Sequence, residues 1–173
     1  MTAPADAFVG LGANVGDRLG ALRAAVAAMA ALDATALVAA SAVWETEAHV
    51  LPGAPPQPDH LNAAVHLRTS LPPGALLAAL HAVERAAGRD PAAPRWAPRP
   101  LDLDLLLYGA LALDADGLTV PHSRLARRRF VLAPLAELAP HRVVPGLGQT
   151  VADLLAATPD TADVRRTDLD LLA

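Results

Sequence analysis

Leu101-Asp102-Leu103-Asp104-Leu105-Leu106, preceded by Arg95-Trp96-Ala97-Pro98-Arg99-Pro100, is the stretch that decides how this chain is built. Acidic and apolar residues alternate with a period of two, which is the spacing of a half-buried strand. Asp102 and Asp104 then share one face, roughly 7 Å apart, while Leu101, Leu103 and Leu105 fill the other. Two carboxylates side by side on such a strand repel unless something positive lies between them. A hard divalent cation such as Mg²⁺ meets that need, because it takes oxygen ligands and uses one or two protein carboxylates with phosphates and water. The arginines just upstream suit phosphate oxygens. An isolated Asp-x-Asp pair sits equally well on an exposed edge strand. The Arg, Trp and Pro context is what points here to a metal–nucleotide site.

The 173 residues suffice for one domain with its own core. A composition 53% hydrophobic, dominated by Ala, Leu and Val, excludes a disordered chain. No apolar run reaches the roughly 18 to 20 residues that span a bilayer. Met1-Thr2-Ala3-Pro4-Ala5-Asp6 lacks the basic-then-apolar order of a secretory leader, so a soluble cytoplasmic protein is expected. The absence of cysteine excludes disulfides and thiolate metal sites. A net charge of −4 argues against tracking a nucleic-acid backbone, and neither nucleic acid nor membrane is expected as a partner. All 14 basic residues are arginines. Arg85, Arg89, Arg95, Arg99, Arg124, Arg127, Arg128 and Arg129 fall within one span that brackets the Asp pair, which suits a small polyanion. Of these, Arg85 and Arg124 are expected to pair with surface carboxylates.

Outward from that strand, residues 6–11 read as a buried strand ending in a glycine-rich turn, Gly12 to Gly16. Leu19, Leu22, Val26 and Met29 recur at helical spacing, with Asn14 or Asp17 as the cap. Residues 35–46 read as one strand with Trp44 near its end, and the proline-rich residues 47–60 as a loop. Leu61 to Thr69 is the next strand. Pro72 or Pro73 opens a second helix, with Leu76, Leu80, Val83 and Ala87 as its stripe and Gly88 closing it. Asp114-Ala115-Asp116-Gly117 reads as a hairpin turn after the strand over 101–108. This order predicts an α+β fold, a ferredoxin-like βαββαβ core with a mostly antiparallel sheet. Short helices follow between 123 and 157, including one near 150–156. Residues 1–160 form the single domain, and 161–173 a C-terminal tail, mobile unless docked. That tail repeats the pattern as Arg165-Arg166-Thr167-Asp168-Leu169-Asp170-Leu171-Leu172 without the Trp and Pro context, which reads as coincidence.

The central segment resembles the signature of the hydroxymethyl-dihydropterin pyrophosphokinases: Arg95, Ala97, Pro98, Arg99, Asp102, Leu103, Asp104, Leu105 and Leu106 fit it position by position. The likeness runs over about the first 140 residues. Gly10-Leu11-Gly12-Ala13-Asn14-Val15-Gly16-Asp17-Arg18 is similar to that family's opening, with Ala13 in a Ser place. Asp59-His60-Leu61-Asn62-Ala63-Ala64-Val65 follows, then Glu84 with Gly88-Arg89, Thr119-Val120-Pro121-His122, and Arg128-Arg129-Phe130 before Pro134-Leu135.

The resemblance implies an ATP-dependent, Mg²⁺-dependent diphosphotransferase of folate biosynthesis. The β,γ-diphosphate of ATP would pass to the hydroxymethyl group of 6-hydroxymethyl-7,8-dihydropterin, with AMP released; the chain is expected to act as a monomer. Such a transfer needs charge neutralisation and alignment more than covalent help. By the same resemblance Asp102 and Asp104 hold two Mg²⁺ ions, and Arg89 and Arg99 complete the catalytic set on the phosphate side. Leu105, Thr119, His122 and Arg128 take nucleotide positions. Thr46, His60, Asn62, Trp96 and Phe130 take pterin positions, as a flat polar heterocycle needs apolar faces and amide edges. Competing readings stand beside three of these: His122 and Asn62 as turn caps, and Trp96 as core packing. No side chain offers itself as a dedicated general base.

Three departures from the family pattern stand out. His60 stands where the family usually has Phe or Tyr; imidazole can stack but offers less area, which would alter pterin affinity or its pH dependence. Asp90-Pro91-Ala92-Ala93-Pro94 lacks a second basic residue, and Thr46-Glu47-Ala48-His49-Val50 opens a longer first loop. Prolines restrict both loops, so altered loop kinetics with unchanged chemistry are expected. Two rivals remain: a binding module without turnover, and a metal-dependent phosphohydrolase that activates water with the same Asp pair.

Overall fold

A computed structural model describes residues 3–48, 52–53, 55–90, 92–93, 97–115 and 117–173. One sheet organises them, built on β1 (Ala5–Ala13), β4 (His60–Thr69) and β5 (Asp102–Tyr108). β1 lies between β5 and β4, and the far side of β4 pairs with β2 (Thr35–Ala40) and β3 (Trp44–Thr46). All these pairings are antiparallel, as the βαββαβ reading predicts.

The period-two pattern gives each strand two differently dressed faces. Ala7, Val9 and Leu11 of β1, Leu61, Ala63, Val65 and Leu67 of β4, and Leu103 and Leu105 of β5 face one side. There they bury the stripes of α1 (Arg18–Ala30) and α2 (Pro73–Ala86), including Leu22, Val26, Met29, Leu76 and Leu80. The opposite side carries a second cluster, Phe8 and Leu106 against Leu132 and Leu135 of α3 (Arg129–Leu138) and Val151 and Leu154 of α4 (Val151–Ala157). This second cluster covers only part of its face. The end of the sheet bearing Gly12, Asn62 and Asp102 lies beyond it.

Two predicted elements come out differently. The single strand expected over 35–46 is interrupted. The Ser41 hydroxyl accepts the Ala64 N–H at 2.9 Å, and Glu137 of α3 accepts the Ala42 N–H at 2.8 Å, so the ladder breaks between β2 and β3. Residues 161–173, read as a tail, contribute β8 (Val164–Arg166), which pairs antiparallel with β3. Leu171 is buried in the helix-side core, and Arg23 of α1 donates twice to the Asp170 carbonyl. The hairpin near 114–117 is present as β6 (Leu113–Ala115) and β7 (Leu118–Val120), although Asp116 lies outside the described residues. At the α1 start it is Asp17, not Asn14, that caps, accepting the Gly20 N–H at 2.9 Å; Gly16 makes the turn before it at φ +67°, a region open to glycine. No helix of the described residues is long and apolar enough to cross a membrane.

Candidate active site

Register places the site. Asn62 of β4 pairs with Gly12 of β1, which pairs on its other side with Asp102 of β5. Gly10 likewise stands between Ala64 and Asp104. Cross-strand partners share a face, so the two carboxylates and the Asn62 amide project from one surface about 10 Å apart, two strand spacings. The strip between them is bare because β1 has glycine there. A Cβ on Gly12 would come within 3.3 Å of Asn62 Oδ1.

The carboxylate side is dense in charge. Asp102 Oδ1 lies 2.9 Å from Arg89 Nη1 and 3.1 Å from Arg99 Nη1. Arg89 also pairs with Glu84 of α2, which is almost wholly buried and accepts the Leu103 N–H at 2.7 Å. Burial pushes the Glu84 carboxyl above its usual range, while the Leu103 N–H and Arg89 pull it back. Asp104 lies 3.6 Å from His122 Nε2 and 3.9 Å from Arg128 Nη1. Burial, then the neighbouring charge of Asp102, pushes Asp104 up; His122 and Arg128 oppose them. A hollow of about 160 Å³ opens beside Arg89 and Arg99, walled by Pro98 and Pro100.

The other side is nearly neutral. Asn62 is 4% exposed, and its amide donates to Thr46 Oγ1 at 3.0 Å. Thr46 pairs with His60 across the β3–β4 ladder, so both share Asn62's face. Burial lowers the His60 pKa, against smaller opposing effects of Asp102 and Asp59, which favours a neutral imidazole there. Trp44 is on the same face, and its Nε1 is a buried donor with no partner among the described residues.

The family model for 7,8-dihydro-6-hydroxymethylpterin-pyrophosphokinase matches residues 8–140. The chain belongs to this pyrophosphokinase family. A 2-amino-4-hydroxy-6-hydroxymethyldihydropteridine pyrophosphokinase of Synechocystis sp. is 42% identical over 156 residues, covering 90% of this chain and 77% of the relative. Its Pseudomonas aeruginosa counterpart is 41% identical over 152 residues, covering 88% of this chain and 91% of the relative. The fold is that of the HPPK part of Plasmodium falciparum HPPK-DHPS, solved with pterin and p-hydroxybenzoate: TM-score 0.70 at 12% identity, over 90% of this chain and 43% of that one.

Within this pyrophosphokinase the residues singled out from sequence fall into three groups. Asp102, Asp104, Arg89, Arg99, His122 and Arg128 come together through the contacts above. Thr46, His60 and Asn62 form the second cluster on the same face. Phe130 opens α3 and is linked to the first group by Arg128, whose guanidinium carbon lies 5.5 Å from the ring centroid. Leu105 departs from expectation, because its side chain is buried in the helix-side core. Thr119 spends its hydroxyl on Asp114 across the β6–β7 hairpin, at 2.7 Å. Arg95 and Trp96 lie outside the described residues, as do His49 and Val50 of the first loop. Arg85 and Arg124 make no ion pair among the described residues, contrary to expectation.

Two residues that hold the site together fall in the family-like segments of the sequence but were given no role at the site. Glu84 sits one turn after Leu80 on the buried stripe of α2, and a carboxylate on an apolar stripe is the signal that marks it. Asn14, fully buried, exchanges two bonds with the Arg99 backbone: its N–H reaches the Arg99 carbonyl at 3.2 Å and its Oδ1 accepts the Arg99 N–H at 2.9 Å. Its Nδ2 reaches Gln57 Oε1 at 3.2 Å. Asn14 therefore joins the two loops that flank the site.

Proposed function

We propose that Asp102 and Asp104, with Arg89, Arg99, Arg128 and His122, hold the triphosphate of ATP together with two Mg²⁺ ions, while Thr46, His60, Asn62, Trp96 and Phe130 hold the pterin. The chain's activity as a pyrophosphokinase on hydroxymethyldihydropterin in folate biosynthesis follows from its family, and that reaction implies ATP as co-substrate. The observation that carries the residue assignment is the division of one sheet face. A charge-dense cluster and a neutral amide pocket stand about two strand spacings apart, with only glycine between them.

The donor set fits a hard cation. Both groups are carboxylates on one face, and Asp104 is held up by burial and by its neighbour's charge, a situation that a bound cation relieves. When bound, Mg²⁺ supplies charge neutralisation and alignment of the phosphates. Arg89 and Arg99 present permanently charged guanidiniums to phosphate oxygens, and Glu84 keeps Arg89 in place when no nucleotide is present. Asn62 orients the pterin edge, its amide pre-set by the bond to Thr46. His60, whose burial favours the neutral imidazole, offers a ring face. The protein acts as a soluble cytoplasmic monomer without nucleic-acid or membrane partners.

Product analysis tests this. AMP and the pterin diphosphate should appear only when ATP, the pterin and Mg²⁺ are all present, and EDTA should stop the reaction. ADP or phosphate from ATP alone would instead identify a hydrolase.

A further inference from the structure

Behind the neutral pocket, on the helix side of the sheet, lies a second charged cluster that the reaction itself does not use. Glu45 stands between Trp44 and Thr46 on β3 and pairs with Leu61, so its side chain emerges on the α1 side. Arg18, the first residue of α1, reaches it from below. Its Nη1 donates to Glu45 Oε1 at 3.0 Å and to the carbonyl of Asp59 at 2.6 Å. Asp59 immediately precedes His60. From β8, Arg165 pairs with Glu45 across the ladder and brings Nη2 to 3.7 Å from Glu45 Oε2 and 3.9 Å from Asp59 Oδ2. The Arg18 and Glu45 side chains are 30% and 28% exposed and so partly shielded, whereas Arg165 is 61% exposed and adds only a screened attraction.

We propose that Arg18 is a positioning residue for the pterin side alone, tying β3 to the first residues of β4 so that Thr46, His60 and Asn62 keep one spacing. The inference rests on the reading that the pterin lies against those three side chains. Its contrast is with Asn14, which grips the Arg99 backbone as well as the loop before His60 and so acts on both substrates. Among the described residues Arg18 makes no hydrogen bond or ion pair with Arg89, Arg99, Asp102 or Asp104. Losing its two charge-assisted bonds lowers the fraction of molecules with the pocket preformed, which raises the apparent pterin constant and leaves the nucleotide constant alone.

The experiment is steady-state kinetics on the full chain, varying each substrate in turn. Arg18→Met should raise KM for the pterin about tenfold, with KM for ATP and kcat within about twofold of wild type. Arg18→Lys, whose ammonium can reach the same two oxygens, should recover most of the loss, and Asn14→Ser should raise both KM values. A purely architectural Arg18 would lower kcat and thermal stability with no selective change in KM, and that result overturns the proposal. So does an equal rise in both constants. Should Arg18→Met fail to fold, Glu45→Leu, which removes the acceptor on β3 and leaves the Asp59 bond, should raise the pterin KM selectively by a smaller factor, and an unselective change or none overturns the proposal. Asn62→Ala separates the two levels: if it leaves the pterin KM unchanged, the pocket assignment is wrong. If it raises that KM while Arg18→Met does not, only the role of Arg18 fails.

Discussion

Asp102-Leu103-Asp104 and Asp168-Leu169-Asp170 stand in the same local pattern, each three residues after an arginine and each followed by two leucines, yet the fold treats them in opposite ways. The first lies on β5 against the glycines of β1, and its carboxylates meet Arg89, Arg99, His122 and Arg128. The second follows β8 outside any strand. Both of its Asp side chains are exposed, and Asp170 Oδ1 accepts the Leu172 N–H at 2.8 Å in a local turn. There it is the leucine that matters, since Leu171 enters the helix-side core. Alternation in sequence offers a face; the neighbouring strand decides whether that face becomes a site.

The contrast can be broken most forcefully at the acids of the first copy. Asp102→Ala should reduce kcat/KM for AMP formation at least about a thousandfold with the melting temperature little changed. A loss under tenfold would erase the distinction between the copies. Glu84→Ala removes a buried partner of Arg89 and should cost about 3 kcal/mol, read as a fall in Tm of roughly 6–12 °C for a chain of this size. Leu171→Ala, in the second copy, should cost about 2–3 kcal/mol through the cavity it leaves, while kcat of the folded protein stays near wild type. An unchanged Tm would mean that the C-terminal segment does not dock.

A carboxylate at the far end of β1 sharpens the comparison through pH. Asp6 is held below the usual carboxylate range, first by its hydrogen bond with His66 at 2.9 Å and also by Arg68. A lowered folded-state pKa gives stability that is present above the ordinary carboxylate range and lost as pH falls through the folded value. Asp6→Asn should therefore flatten the acid limb of a Tm-versus-pH curve. It should leave activity intact, because this ion pair is architectural. The smallest effect belongs to Asp168→Ala: stability within about 0.5 kcal/mol of wild type and no change in AMP formation.

Much of the fold is legible because the periodicities are clean. Leu22, Val26 and Met29 fix the buried face of α1, and Leu103 and Leu105 fix that of β5. The break between β2 and β3 is not legible, because Glu137, 95 residues away, captures the Ala42 N–H. Docking of β8 is hidden for a similar reason, as its three residues carry no period of their own and are held by β3. At the site, Asp102 and Arg99 stand out through spacing and chemistry, and Asn62 through the resemblance of its segment to the family. Glu84 and Asn14 do not, because their work is to satisfy backbone groups brought close only by the tertiary fold. Leu105 misleads for the complementary reason: it belongs to the motif's alternation, and its side chain serves the core.

The most direct measurement is anomalous diffraction from crystals grown with Mn²⁺ and an ATP analogue blocked between the α- and β-phosphates. Two metal peaks within about 2.5 Å of Asp102 and Asp104 oxygens are predicted, with the phosphates reaching Arg89 and Arg99. Peaks elsewhere, or both carboxylates turned away from metal and phosphates, would contradict the account.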